Sequence, residues 1–202
     1  MDDIDFGALL AARLCHDVIS PVSAARNGIA MALEEDDAEM RAQAMELTAD
    51  GLADAVDKLK VYRLAYGVAG PGTTLVETRK ATESLFSRGR VRVEWAEGAD
   101  PGPEGVRLLA NMVLLGAEGV ARGGVVTVAP SATVLTVNAE GNRAGFSDEI
   151  LAALENTVEE SSLVPRQIQV VLAKTLAQRL GLGLEYTIMT GRVALTVRLP
   201  GP

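Results

Sequence analysis

The spacing of apolar residues predicts two long helices in the first third of the chain. Between Phe6 and Glu35, apolar residues recur every three or four positions, which is typical of one face of a helix. A second such pattern covers Ala38–Tyr66, after the acidic segment 34–37. The two stripes consist of Leu10, Leu14, Val18, Val22, Ala25, Ile29 and Leu33, and of Met45, Leu52, Leu59 and Tyr66. A short turn between two long helices predicts an antiparallel hairpin.

The hairpin by itself buries little apolar surface, whereas two hairpins packed together enclose a core. We therefore expect a dimeric four-helix bundle, with the chain as a homodimer. The sequence Gly67-Val68-Ala69-Gly70-Pro71-Gly72 interrupts the helical pattern. It predicts a hairpin domain over 1–68 and a linker over 69–74.

The remaining residues, 75–202, alternate between helical and strand patterns. Helices are predicted over 75–87, 105–122, 147–158 and 166–180, and strands over 90–96, 125–129, 134–138, 184–189 and 192–199, with a loop at 100–103. Helices interspersed with antiparallel strands predict an α/β sandwich with its helices on one face of a sheet. The chain as a whole is therefore predicted to be α+β.

Composition narrows the function classes. The chain has 202 residues, a formal net charge of −8 and no block rich in Lys or Arg, which argues against binding to nucleic acid or to anionic membranes. The one cysteine excludes an internal disulfide and a thiol-rich zinc site. The acidic start, 1–5, lacks the basic region of a secretory signal, and no apolar run reaches membrane-spanning length. A cytoplasmic protein is the expectation.

The one histidine, His16, is the strongest candidate for covalent chemistry, because an imidazole can be neutral and nucleophilic near physiological pH. On a helical wheel it falls in a polar stripe opposite the apolar face, so it should face solvent. Asp17 is the candidate to orient one ring nitrogen or to accept its proton. Pro21 removes the helical hydrogen bond to the carbonyl of Asp17 and predicts a kink there. An ordinary surface histidine beside a solvated acid is the alternative interpretation.

Four sequence segments carry a family resemblance. The segment His16-Asp17-Val18-Ile19-Ser20-Pro21 resembles the H-box of sensor histidine kinases: a histidine, an acid, two variable positions, a small polar residue and a proline. Arg13-Leu14-Cys15, Asn27-Gly28 and Lys58–Gly67 make the likeness more specific. Together they resemble the ChpT family of histidine phosphotransferases from alphaproteobacteria, strongly over 13–27 and 58–67 and more weakly after Gly72.

The resemblance implies a homodimer whose hairpins form a four-helix bundle, followed over 75–202 by a degenerate relative of the histidine-kinase ATPase domain. It also implies that His16 accepts a phosphoryl group from a receiver-domain aspartate of a hybrid histidine kinase. The group would then pass to the receivers of response regulators such as CtrA. The chain would need no cofactor of its own, since the receiver supplies Mg²⁺.

Several residues around His16 are candidates for contacts with the receiver. Arg13, Lys58, Lys60 and Arg63 are candidates to steer or contact its acidic pocket, and Ser20 is a candidate to shape the site. An ordinary surface position is the alternative for each of them.

The second part of the chain departs from the nucleotide-binding motifs of kinases. Asn111 resembles the first asparagine of the kinase N-box, but Leu115 replaces the second, which holds Mg²⁺. The segment 138–143 lacks the aspartate that reads adenine, and Gly181-Leu182-Gly183 fits a helix C-cap better than a nucleotide loop. ATP binding and autokinase activity are therefore not expected. Two alternatives remain open: an active histidine kinase or phosphatase transmitter that binds ATP, and a non-catalytic dimeric interaction module.

Overall fold

The computed structural model describes residues 3–199 of the chain. Its helices are α1 (Asp3–Glu34), α2 (Ala38–Tyr66), α3 (Leu75–Leu85), α4 (Gly102–Gly119), α5 (Asp148–Leu154) and α6 (Ile168–Arg179). Two short 3₁₀ turns lie at Glu160–Ser162 and Pro165–Gln167. The strands are β1 (Val91–Trp95), β2 (Gly124–Pro130), β3 (Val134–Glu140), β4 (Leu184–Met189) and β5 (Arg192–Arg198). The predicted hairpin and the predicted α+β class are confirmed, while the domain boundaries stay a prediction.

The α1–α2 hairpin is closed by small residues. Asp37 caps α2, because its side chain accepts hydrogen bonds from the backbone N–H groups of Glu39 and Met40, at 2.9 and 3.0 Å. Farther along, a Cβ added at Gly51 would lie 2.7 Å from the carbonyl oxygen of Pro21. The two backbones therefore approach too closely for any larger residue at that position. Helix α1 continues through Pro21, which is buried against α2.

The predicted apolar stripes lie mostly on the outside of this hairpin. Buried positions between α1 and α2 are instead small or polar, such as Ala25, Ala44 and Thr48. The apolar stripe residues with large exposed fractions, between 46% and 82%, are Val22, Ile29, Leu33, Met45, Leu52 and Leu59. The hairpin thus closes on its small residues and leaves its large apolar side chains on the surface.

The second part of the chain is a five-stranded sheet with helices packed on one face. The strand order is β1-β2-β3-β5-β4; β1 and β2 are parallel, and the other neighbours are antiparallel. Alternate residues of β2, β3 and β5 are fully buried, and α4 covers them with Leu108, Leu109, Met112 and Leu115. The burial of every second strand residue explains why the alternating pattern identified these strands.

Helix α4 begins three residues earlier than predicted. The sequence predicts a loop at 100–103, but the helix starts at Gly102 and contains Pro103 in its first turn. Proline suits that turn, because the first N–H groups of a helix have no partner within the helix and its fixed φ is already helical.

Helix α2 also joins the hairpin to the second part of the chain, α3–α6 with β1–β5, which is called the sheet domain below. Its buried side chains Val61 and Leu64 pack with Ala81 of α3 and with Leu114 of α4. Asp57, only 5% exposed, accepts hydrogen bonds from Ser84 and Arg88, both at 2.8 Å, and from Lys60 at 3.3 Å. This carboxylate therefore tethers α2 to the segment that contains α3.

Replacing Asp57 by asparagine should lower the free energy of unfolding at neutral pH by roughly 2 kcal/mol, the scale of hydrogen bonds to a charged group. Burial alone would raise the pKa of Asp57, but the hydrogen bonds from Ser84, Arg88 and Lys60 outweigh burial and lower it. A depressed pKa stabilises the folded state above the ordinary carboxyl value of about 3.9, and that contribution is lost as the pH falls through the lower folded value.

Urea unfolding at neutral pH and at about pH 3 checks this pH dependence. The difference between wild type and Asp57→Asn should shrink in acid, whereas Glu94→Gln, an exposed carboxylate on β1, should match wild type at both pH values. A deficit of equal size at both pH values would contradict the expected role of the Asp57 charge.

Candidate phosphotransfer site

His16 lies in the middle of α1 and faces solvent, as the helical wheel predicts. Its side chain is 86% exposed, and its Nδ1 atom lies 3.1 Å from Oδ1 of Asp17. Adjacent side chains on a helix normally diverge, so this contact depends on how the Asp17 carboxylate is held.

Asp17 is held by groups from both helices of the hairpin. The Tyr62 hydroxyl donates a hydrogen bond to its Oδ2 atom at 2.6 Å, and the Nε atom of Arg13 lies 2.6 Å from the same oxygen. Burial would raise the pKa of Asp17, but the hydrogen bonds from Tyr62 and His16 and the charge of Arg13 outweigh burial and lower it. Asp17 is therefore a carboxylate, and a carboxylate can only accept a hydrogen bond.

The tautomer of the imidazole follows from that contact. Because Asp17 accepts, Nδ1 of His16 carries the proton of the neutral ring, and Nε2 carries the free lone pair. Nε2 is therefore the ring nitrogen that can act as a nucleophile. Asp17 therefore contacts the ring at the atom that the predicted orienting role requires, and the role itself stays a prediction.

Tyr62 and Tyr66 form a second layer below Asp17. Burial, together with the hydrogen bond to Asp17, raises the pKa of Tyr62, so its hydroxyl keeps its proton and donates. The two tyrosine rings stack with centroids 5.1 Å apart, and the Tyr66 hydroxyl donates to Oε1 of Gln169 at 2.6 Å. The layer therefore links the site to α6.

Helix α4 and the second 3₁₀ turn supply a further wall of the site. Glu118 accepts from Nη2 of Arg13 at 2.8 Å and from Nη2 of Arg166 at 2.7 Å. Burial alone would lower the pKa of Arg13, but the hydrogen bond to Glu118 and the charge of Asp17 raise it, so its guanidinium stays charged. A groove of about 400 Å³ lies here, lined by Arg13, His16, Asp17, Glu118, Pro165 and Arg166.

The predicted partner-binding cations separate into two groups. Arg13 and Lys58 line a cleft of about 350 Å³ between the hairpin and the sheet domain, together with Asp17 and Tyr62. Lys60 and Arg63 lie elsewhere, because Lys60 pairs with Asp57 and Arg63 pairs with Glu77 of α3. These two side chains line neither the cleft nor the groove at His16.

Ser20, Pro21 and Lys58 have distinct surroundings. Ser20 is exposed one turn after His16, and Pro21 is buried between the helices. Lys58 pairs with Asp54 at 2.9 Å, one turn earlier on α2. Of these side chains, Lys58 is the one that lines the cleft with Asp17.

Asn111, the residue that resembles a kinase N-box asparagine, is completely buried and fully engaged. Its amide nitrogen donates to the carbonyl oxygens of Ala65 and Arg107 at 2.7 and 2.9 Å. Its side-chain oxygen accepts from Nε2 of Gln169 at 2.8 Å. The side chain therefore joins α4 to the end of α2 and to α6.

Sequence reasoning missed Glu118, Arg166 and the role of Tyr62. Tyr62 contacts a residue 45 positions away, and Glu118 contacts one 105 positions away, so no local pattern connects them. The resemblance over 58–67 includes Tyr62 and was the available signal for that residue.

The described part of the chain lacks two kinds of feature. Within residues 3–199, no helix combines the length and the apolar character that crossing a membrane requires. The same residues contain no group of three or more His, Cys, Asp or Glu side chains placed to bind a metal ion.

The chain is similar to known phosphotransferases in both sequence and fold. A family model described as the histidine phosphotransferase C-terminal domain matches residues 75–191, which is more than half of the chain. The protein phosphotransferase ChpT of Brucella abortus (strain 2308) is 36% identical over 129 residues, covering 62% of this chain and 60% of that protein. A solved structure of a bacterial phosphotransferase matches with a TM-score of 0.85 and 24% identity, over 98% of this chain and 97% of the other. The solved structure shows that the two chains share one fold.

Proposed function

We propose that this chain, which belongs to the histidine phosphotransferase family, relays phosphoryl groups between receiver-domain aspartates through Nε2 of His16. The observation that carries the proposal is the pairing of an 86% exposed imidazole with a mostly buried carboxylate. A phosphoryl donor or acceptor on another protein can reach Nε2, while Asp17 fixes the ring from behind.

The transfer is a displacement at phosphorus. The lone pair of Nε2 attacks the phosphorus of an aspartyl phosphate, the N–P bond forms, and the P–O bond to the acyl oxygen breaks, which releases the receiver carboxylate. The positive charge that develops on the imidazole is stabilised by Asp17 through Nδ1–H. In the reverse direction, a receiver carboxylate attacks the same phosphorus and the N–P bond breaks.

Receiver domains are the proposed partners. The donor would be the receiver of a hybrid histidine kinase, and the acceptors would be response regulators, including CtrA-like ones. The relative from Brucella abortus is itself named a protein phosphotransferase, which supports a protein substrate. The receiver would supply Mg²⁺ for its own aspartyl phosphate, so this chain contributes the imidazole and the groups that hold it.

The buried state of Asn111 favours a relay over a kinase that binds ATP. In a kinase, that position must face a nucleotide pocket, whereas here its donors and its acceptor are used between α2, α4 and α6. We therefore propose that phosphate reaches His16 from a receiver and not from ATP.

We also propose that the chain is a homodimer, formed by the outer face of the hairpin. Apolar side chains close to half exposed recur at heptad spacing on α2, at Met45, Leu52 and Leu59. Similar exposure is found on α1 at Val22 and Ile29. A second copy of the hairpin would cover both stripes and complete a four-helix bundle.

Replacing Leu52 by glutamate should convert a dimer into a monomer, because a charge would lie in the interface. Light scattering should give twice the chain mass of 21.2 kDa for wild type and one chain mass for the variant. Val76→Glu, at a 64% exposed apolar position on α3 outside the hairpin, should remain dimeric. A monomeric wild type at micromolar concentration, or a dimeric Leu52→Glu, would refute this interface.

The phosphotransfer proposal is tested with a phosphorylated receiver domain as donor. Wild type should acquire acid-labile, base-stable label, as a phosphohistidine does, and should pass it to a second receiver. Incubation with Mg²⁺ and labelled ATP alone should leave the protein unlabelled. If the donor keeps its phosphate in the presence of wild type, the relay is wrong; if ATP labels His16 directly, the chain is a kinase.

A further inference from the structure

The groove beside His16 is built by both parts of the chain. Arg13, His16 and Asp17 come from α1, whereas Glu118 lies in the last turn of α4 and Arg166 lies in the second 3₁₀ turn. That turn packs directly on α1. His16, the phosphorylated residue of the proposed function, therefore shares a groove with an arginine from the second part of the chain.

The two arginines of this groove differ in how firmly they are held. The Arg13 side chain is 18% exposed and contacts Asp17 through Nε and Glu118 through Nη2. The Arg166 side chain is 44% exposed, and its Nε and Nη2 atoms both point at one oxygen, Oε2 of Glu118, at 3.3 and 2.7 Å. Arg166 can leave Glu118 without leaving that carboxylate unpaired, because Arg13 remains.

Phosphorylation of His16 changes the charge balance of the groove. Before transfer, Arg13 and Arg166 balance Asp17 and Glu118. A phosphoryl group adds nearly two negative charges next to these carboxylates. The added charge needs a cation, and a guanidinium binds phosphoryl oxygens with paired hydrogen bonds.

We infer that Arg166 turns from Glu118 to the phosphoryl group on Nε2 of His16 and is a catalytic residue of the transfer. The inference rests on the proposed function and adds to it a contribution from the sheet domain. Arg166 forms no covalent bond; it stabilises the charge on the equatorial oxygens while the N–P bond forms and the P–O bond breaks. Glu118 pairs with Arg166 before phosphorylation, and it pairs with Arg13 throughout.

The test compares two phosphoryl donors on the full chain. One donor is a phosphorylated receiver domain, and the other is phosphoramidate, which carries a phosphoryl group but no protein surface. Arg166→Ala should slow labelling of His16 at least about a hundredfold with both donors, the lower end of what one lost charge-stabilising donor costs. Arg166→Lys should restore part of the rate, since it keeps the charge and loses the paired geometry.

The matched control is Arg179→Ala, an exposed arginine in the last turn of α6 outside the groove, which should label at the wild-type rate. Urea unfolding of each variant checks that it is folded. A defect with the receiver donor alone would make Arg166 a docking residue and overturn the inference, as would an unchanged rate with both donors. A wild type that accepts phosphate from neither donor would instead refute the proposed function.

Discussion

Exchange of His16 for glutamine is expected to abolish phosphate uptake from a phosphorylated receiver, to the level seen without the protein. Glutamine can still accept a contact at the surface, but it has no nitrogen with a free lone pair to attack phosphorus. The change should leave stability within about 0.5 kcal/mol of wild type, since the side chain is 86% exposed. Transfer of label between two receivers, followed on a gel, measures the loss directly.

The matched control for His16 is Asn27→Ala, at an exposed position three turns later on α1. This variant should accept and donate phosphate as wild type does. If His16→Gln transferred phosphate at the wild-type rate, the histidine would be inert. That result would favour the non-catalytic interaction module.

Exchange of Asp17 for asparagine is expected to slow transfer by about 10²–10⁴-fold, the range of one positioned proton-transfer group. The asparagine amide can donate to Nδ1 of His16, which selects the tautomer with its proton on Nε2 and removes the nucleophilic lone pair. The neutral side chain also no longer stabilises the positive imidazole. Single-turnover transfer from a phosphorylated receiver, at saturating donor, separates this loss from weaker binding.

The control for Asp17 is Asp54→Asn, which removes the partner of Lys58 on the same side of α2. The transfer rate of this variant should fall by no more than about twofold, because the Asp54 side chain lines the cleft but does not contact the imidazole. An Asp17→Asn protein that transfers as fast as Asp54→Asn would show that the carboxylate is only structural. Binding affinity for the receiver, measured separately, should change little in either variant.

Local patterns were sufficient to predict the hairpin and most of the sheet. The second helix was predicted over Ala38–Tyr66 and occupies those residues, because its ends carry local signals: an Asp37 cap and a glycine after Tyr66. The strand patterns succeeded because one face of the sheet is covered by α4. The predicted start of α4 was wrong because proline-rich segments are typical both of loops and of helix starts.

The exposure of His16 was predictable, but the arrangement that holds it was not. A helical wheel places His16 on the polar face, since 3.6 residues per turn fix the angle between any two positions on α1. The wheel also places Asp17 next to His16. It does not show that the Tyr62 hydroxyl and Nε of Arg13 each lie 2.6 Å from Oδ2 of Asp17. Those contacts depend on how close α2 lies to α1, which the small residues at Gly51 and Ala25 decide.

The sequence by itself predicted His16 as the candidate nucleophile, and it determined the solvent-facing position of that residue and the elements of the fold, because helix and strand periodicity are local properties. Only the tertiary structure decided which apolar residues stay exposed on the hairpin and which distant charges surround His16. Glu118 and Arg166 lie 48 positions apart in the chain and meet beside α1 only when the sheet domain packs against the hairpin. Contacts of that range arise from packing and not from any pattern along the chain.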